Sequence, residues 1–395
     1  MHYTSARVSK RGNRYRAFLS FKDEAGTSRQ VSKTLDARGI SQAKRELAAW
    51  RAEMEARADA EDRKGASGRE AASMAVPDYV DRYVDAAESA RTVEQSTIKG
   101  YRSSAKLIRR EFGDAKVGEL TTEMVADWEA RLTEGGMSSS SVGKAHRLLK
   151  MIMQQAVFAQ AVDRNPLDFV KPPKRRNVKP GINALDRQGR AEMLSKLGEL
   201  ELPEVTVAAL ISIYTGLREG EVCGLQWRDV DIAAGVLWVR RSIGVGDKGS
   251  YAKAPKTDKT RDVALPASLA KVLDKWKVHQ TLAFAEKGVL LRPDHYVIGD
   301  PLGFLCPATV SRGWKLLSTM IGIKGTAGRI PTFHDLRHTW ATMYLAAGGD
   351  VKTAASNLGH ANAAMTLNVY ASCDPEAKRR AAELTEWAMT GNPEA

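Results

Sequence analysis

Apolar residues recur along this chain with two periods, and the change of period marks its segments. Tyr15, Ala17, Leu19 and Phe21 alternate with Arg14, Arg16, Ser20 and Lys22, the repeat of a strand covered on one face. After the Ala25-Gly26 turn, Arg29 to Leu35 predicts a second strand, and Ser41 opens a helix through Leu47, Trp50 and Met54. Small and charged residues from Ala58 to Ser73 predict a linker, flexible or helical. Residues 74–170 then show only the helical repeat. Tyr79, Tyr83 and Ala87 mark one helix; Ile98, Tyr101, Leu107 and Ile108 mark a second, stopped at Phe112-Gly113. Met124, Trp128 and Leu132 mark a third, closed by Gly135-Gly136. The serines from Ser138 to Ser141 cap a fourth, which carries Leu148, Leu149, Ile152, Met153, Val157 and Phe158 as far as Asn165-Pro166. Four such helices predict a bundle.

Lys171 to Pro180 is rich in proline and cations, a linker suited to a phosphate backbone. From Ala184 the pattern is mixed. Val205 to Tyr214 is an apolar helix with Gly216 as its C-cap, and Arg218 starts a short helix carrying Glu219, Glu221 and Leu225. Val236 to Val239 and Arg261 to Leu265 read as strands joined by a Gly- and Lys-rich connection, the second half-buried through Val263 and Leu265. Helices follow at Leu269 to Trp276 and Thr309 to Met320. In the next, Leu336, Trp340, Met343 and Ala347 form a core stripe. Ala377, Ala381, Leu384 and Ala388 form a last stripe in the tail. The fold class is therefore multidomain and mainly α with small β-sheets: a small α+β module (1–64), a four-helix bundle (74–170), a basic linker (171–183) and a mixed α/β domain (184–395).

Charge narrows the partners. Sixty Lys and Arg against 47 Asp and Glu give a net charge of +13, which favours a polyanion such as nucleic acid. Eleven Lys or Arg against three acids lie between Met1 and Arg45, so Arg14, Arg16 and Lys22 are candidate DNA contacts on the first module, as are Lys174, Arg175 and Arg176 in the linker. The chain has no apolar run of membrane-spanning length and no apolar leader, so no membrane partner and a cytoplasmic location are expected. Cys223, Cys306 and Cys373 are scattered and suggest neither a disulfide framework nor a zinc site.

Candidate chemistry lies between Pro331 and Tyr370. His334 and Arg337 stand three residues apart, one helical face, and Thr332 with Asp335 makes an N-cap. That places the pair at a helix N-terminus, where a phosphate binds readily. His334 and His338 also stand at the i, i+4 spacing of a metalloprotease pair, but Asp335 stands where glutamate is needed and Arg337 repels a cation.

The order His334-x-x-Arg337, then Gly359-His360, then Tyr370 ten residues later resembles the C-terminal signature of the tyrosine recombinases, the phage-integrase family. Thr215-Gly216-Leu217-Arg218 matches the family's upstream arginine motif, and Lys256 its hairpin lysine. The resemblance implies a DNA breaking and rejoining enzyme. Arg218, Arg337 and His360 would stabilise charge on a phosphodiester, Tyr370 would attack and His334 would accept its proton. Lys256 would protonate the departing 5′ oxygen, and Glu221 would act as an accessory acid that orients the site. It implies no cofactor and no metal. It further implies an arm-type DNA-binding module with a three-stranded sheet, a core-binding bundle and a homotetramer on double-stranded DNA in a bacterial host, with a directionality factor or DNA-bending protein as further partners. A type IB topoisomerase-like enzyme and a catalytically silent DNA-binding protein are the alternatives.

Overall fold

The N-terminal alternation becomes an antiparallel sheet of three strands, β1 (Tyr3–Arg11), β2 (Arg14–Lys22) and β3 (Ser28–Leu35), with β2 in the middle. The computed structural model describes residues 3–12, 14–23, 26–173, 182–200, 203–254, 260–360, 382, 385–386 and 388–390. It divides into two units, Met1–Arg175 and Arg176–Ala395.

In the first unit, Tyr3, Tyr15, Ala17, Leu19 and Leu35 turn one face of the sheet onto Ala43, Leu47 and Trp50 of α1 (Ile40–Ser73). The sequence pattern had placed β2 and β3 but not β1, whose burial is poorly alternating. Helix α1 runs without a break through 58–73, so that stretch is helical. Near its end the backbone passes close to another: a Cβ on Gly68 would lie 2.6 Å from the Gln160 carbonyl oxygen. Glycine is what permits that approach.

The bundle consists of α2 (Val76–Ser89), α3 (Gln95–Glu111), α4 (Thr122–Glu134) and α5 (Ser139–Phe158). Thr121 and Ser138 cap α4 and α5 by accepting from Met124 N and Ser141 N, which satisfies amides otherwise left open. Trp128, Ile108, Leu148, Leu149, Ile152 and Met153 are fully buried between the helices. Helix α5 ends at Phe158, earlier than the Asn165-Pro166 stop predicted, because Gln160 takes a left-handed φ of 58°. Asn165 instead caps a 3₁₀ turn and donates to the Lys150 carbonyl at 2.9 Å. Arg102, Arg109 and Lys150 are paired with Glu88, Asp81 and Asp168.

The second unit opens with α6 (Arg187–Gly198), α7 (Glu204–Thr215) and α8 (Glu219–Cys223). Next come β4 (Val230–Asp231), β5 (Val236–Val239), the hairpin β6 (Ser242–Gly246) and β7 (Gly249–Lys253), and β8 (Arg261–Ala264). Strands β4, β5 and β8 form one antiparallel sheet; β6 and β7 form another. The connection expected between β5 and β8 thus carries its own hairpin. Helix α9 (Ala267–Ala285) extends well past Trp276. The pair β9 (Gly299–Asp300) and β10 (Gly303–Phe304) precedes α10 (Pro307–Met320), α11 (Phe333–Ala346) and α12 (Val351–Leu358). Helix α7 is apolar all round and lies at the core, with Val207, Ala208 and Ile211 among Trp314, Phe333 and Leu336. Among the described residues no helix is long and apolar enough to cross a membrane.

Candidate active site

The second unit's site begins where α7 ends. Gly216 closes that helix with a left-handed φ of 70°, and a Cβ there would meet Trp340 at 2.8 Å and Leu358 at 2.9 Å. The resulting turn makes Arg218 the N-cap of α8, one helical turn before Glu221. Glu221, 2% exposed, accepts from the Arg218 backbone at 2.9 Å and from its Nη1 at 2.9 Å. It also accepts two bonds from Arg261, at 3.0 and 2.7 Å. Burial alone would raise this carboxyl, but the bonds and charge of Arg261, then Arg218, hold it below the usual carboxylate range.

Helix α11 delivers the other arginine. Its capping box forms as the sequence predicts, with Thr332 Oγ1 accepting from Asp335 N and Asp335 Oδ2 accepting from Thr332 N at 2.7 Å. Asp335 is thereby committed to the cap and Glu221 to Arg218 and Arg261. Arg337, 4% exposed, donates instead to two carbonyls, Gly216 O at 2.8 Å and Leu358 O at 2.6 Å. Ala347, placed on the core stripe by spacing, is exposed at the helix C-cap.

Three arginines from three elements converge on the last turn of α12. Arg261 Nε donates to Asn357 O at 2.8 Å, Arg337 Nη2 to Leu358 O, and Arg218 Nη2 to Gly359 O at 2.9 Å. Terminal helix carbonyls lack intrahelical partners and carry the negative end of the dipole, so guanidiniums suit them. Gly359 adopts φ 60° and turns the chain into His360. The site residues that lie together are therefore Arg218, Glu221, His334, Arg337 and His360. Lys256 and Tyr370, with Lys174, Arg175, Arg176 and the tail positions Ala377, Ala381 and Leu384, lie outside the described residues.

The histidines feel this positive field. His360 is lowered to about 4, by desolvation first and then by Arg337 and Arg218. His334, at the exposed rim, is also lowered to about 4, by local desolvation and then by His338, whose ring meets it edge-on at 4.7 Å, and Arg337. Both imidazoles are neutral at pH 7, able to accept a proton or donate one N–H. Arg337 is lowered to about 9 by burial and Arg218, yet stays charged. A cluster of guanidiniums with two neutral imidazoles is a receptor for an oxyanion such as phosphate. Among the described residues, no group of three or more His, Cys, Asp or Glu is placed to hold a metal ion.

Arg261 is the participant that sequence reasoning passed over. Its signal was present: it shares a strand face with the buried Val263 and Leu265, and a cation on a buried face needs a partner.

Residues 200–377 match the model of the phage integrase family. The chain is 26% identical over 328 residues to the ICEBs1 integrase of Bacillus subtilis (strain 168), covering 80% of this chain and 83% of that protein. It is 28% identical over 284 residues to a tyrosine recombinase XerC-like protein of Caldanaerobacter subterraneus, covering 68% and 71% of the two chains. Its fold matches the lambda integrase tetramer bound to a Holliday junction, with TM-score 0.57 and 21% identity, covering 90% of this chain and 95% of that one. Residues 200–377 thus form a domain of the phage integrase family, and the chain is a tyrosine-type site-specific recombinase.

Proposed function

We propose that this recombinase integrates the DNA of a phage or other mobile element by transesterification through Tyr370. The observation that carries this is the convergence of Arg218 and Arg337 beside His360 at the end of α12. Their charge suits a scissile phosphate whose non-bridging oxygens become more negative during attack. The Tyr370 oxygen would bond to phosphorus while the bond to the 5′ oxygen breaks. His334, neutral at pH 7, would take the phenolic proton, and Lys256 would supply one to the leaving oxygen. The product is a 3′-phosphotyrosyl enzyme, which keeps the bond energy for rejoining without a nucleotide cofactor. Glu221 holds Arg218 and Arg261 in place for this work.

By the same proposal, the bundle and the cations at Lys174, Arg175 and Arg176 grip core-type sites, and the N-terminal sheet grips arm-type sites through Arg14, Arg16 and Lys22. All three of those side chains are exposed on one sheet face. The tetramer on a Holliday junction seen for lambda integrase supports four protomers joining two duplexes, in the cytoplasm of a bacterial host. A directionality factor or DNA-bending protein would set direction.

The test is an exchange assay with plasmids carrying DNA that flanks the element's own gene. Recombinant products without added nucleotide, lost in Arg337→Ala, are expected. Relaxation of supercoils without exchange would favour a topoisomerase-like activity, and binding without cleavage a silent DNA-binding protein.

A further inference from the structure

The N-terminal sheet has a second face that its core does not use. Antiparallel register places Arg7 opposite Phe18, Ser9 opposite Arg16 and Arg11 opposite Arg14 on β1 and β2. On the other side Phe18 faces Ser32, Arg16 faces Thr34 and Ser20 faces Gln30. Alternation puts all these side chains on the face away from α1. It carries five cations (Arg7, Arg11, Arg14, Arg16 and Lys22) and no acid, and none of the five forms an ion pair among the described residues.

One aromatic ring stands in this polar field. Phe18 is half-buried, with the Arg7 guanidinium 5.0 Å and the Arg16 guanidinium 5.9 Å from its ring centroid. A ring that only needed covering would sit on the other face, with Leu19 and Phe21. Here the two guanidiniums are pre-positioned beside an apolar surface, one across the strand pair and one along β2.

Distances along β2 separate two kinds of contact. Phe18 is four residues from Arg14 and four from Lys22, about 14 Å each way at the usual strand rise. A major groove is about 12 Å wide and admits a β-ribbon. With the middle of β2 on the groove floor, Arg14 and Lys22 reach the two phosphate rails, while Arg7, Phe18 and Arg16 meet base edges. Guanidiniums pair best with guanine, and an apolar ring with the thymine methyl group.

We propose that Phe18, bracketed by Arg7 and Arg16, is the specificity-determining residue of this sheet and reads a thymine methyl next to guanine in duplex DNA. This rests on the proposal that the sheet binds arm-type DNA.

The test uses the full chain. Wild type and Phe18→Ala are each taken through selection from random duplexes, and the best arm-type duplex is remade with uracil, which lacks the methyl group, at each thymine in turn. At one position uracil should weaken wild type roughly four- to tenfold and leave Phe18→Ala unchanged, because the lost partners are the same pair. Phe18→Ala should keep its salt dependence, whereas Arg14→Ala should weaken all sequences alike and lower the log–log salt slope by about one. Equal sensitivity of wild type and Phe18→Ala to uracil, or none in either, would overturn the role of Phe18 while leaving the sheet a DNA-binding face. If removing Arg7, Arg14, Arg16 and Lys22 together changes binding to no duplex, the arm-type proposal itself falls.

Discussion

Arg261 and Glu221, 40 residues apart, meet through two parallel hydrogen bonds, Nη1 to Oε1 at 3.0 Å and Nη2 to Oε2 at 2.7 Å. The same carboxylate holds Arg218, so one buried acid sets the position of a site arginine from a strand and a helix at once. Arg261→Ala would leave Glu221 half-paired in the core. Breaking a buried pair from one side costs about 3–5 kcal/mol, so denaturant unfolding should show a loss of that order. Cleavage should also fall at saturating DNA. Unchanged stability would mean that Glu221 does not depend on Arg261.

If the proposed mechanism holds, Arg218→Ala and Arg337→Ala would each remove a planar donor from the charge that develops on the phosphate. By analogy with oxyanion sites, each should slow single-turnover cleavage about 10²- to 10³-fold, or roughly 3–4 kcal/mol. DNA affinity, spread over many phosphates, should change far less. Gel-shift titration beside cleavage kinetics separates the two; equal losses in both would mark these arginines as binding groups only.

Gly216→Ala should be among the most damaging small substitutions. The left-handed φ disfavours any side chain, and the new Cβ would press against Trp340 and Leu358. A loss of about 2 kcal/mol or more is expected by thermal unfolding, with cleavage falling too because Gly216 O is a partner of Arg337. Wild-type stability in this variant would contradict the packing described.

His334 and His360 are lowered to about 4 from 6.5. The unfolded chain therefore binds more protons than the folded one between those values, and stability rises with pH across that window. Acid destabilisation should start as pH falls through about 6.5 and be complete below about 4. Urea midpoints should show a smaller drop for the His334→Gln, His360→Gln double variant. An identical pH profile would place the effect elsewhere.

Much of this was legible in the sequence because it depends on local pattern. The alternation at Tyr15, Ala17 and Leu19, the cap at Thr332 and Asp335, and the turn at Gly216 are each fixed by residues within a few positions. What escaped depends on distant neighbours. The bonds from Arg337 to Gly216 and Leu358, and from Arg261 to Glu221 and Asn357, join segments that only the packed core brings together. Strand β1 carries Arg7 and Arg11 on its open face and lacked a clean repeat. The residue pattern did not show strands β6 and β7, whose Gly244, Gly246 and Gly249 are poor strand formers, so that only the family resemblance implied a hairpin there.

The central claim is that Tyr370 attacks the phosphodiester. The measurement is a denaturing gel of wild type and Tyr370→Phe incubated in EDTA with a nicked suicide duplex, cut from DNA flanking the element's gene. A covalent protein–DNA band from wild type alone is the expected result. Equal bands from both proteins would show that another residue is the nucleophile, and no band from wild type on DNA that it binds would contradict the transesterification account.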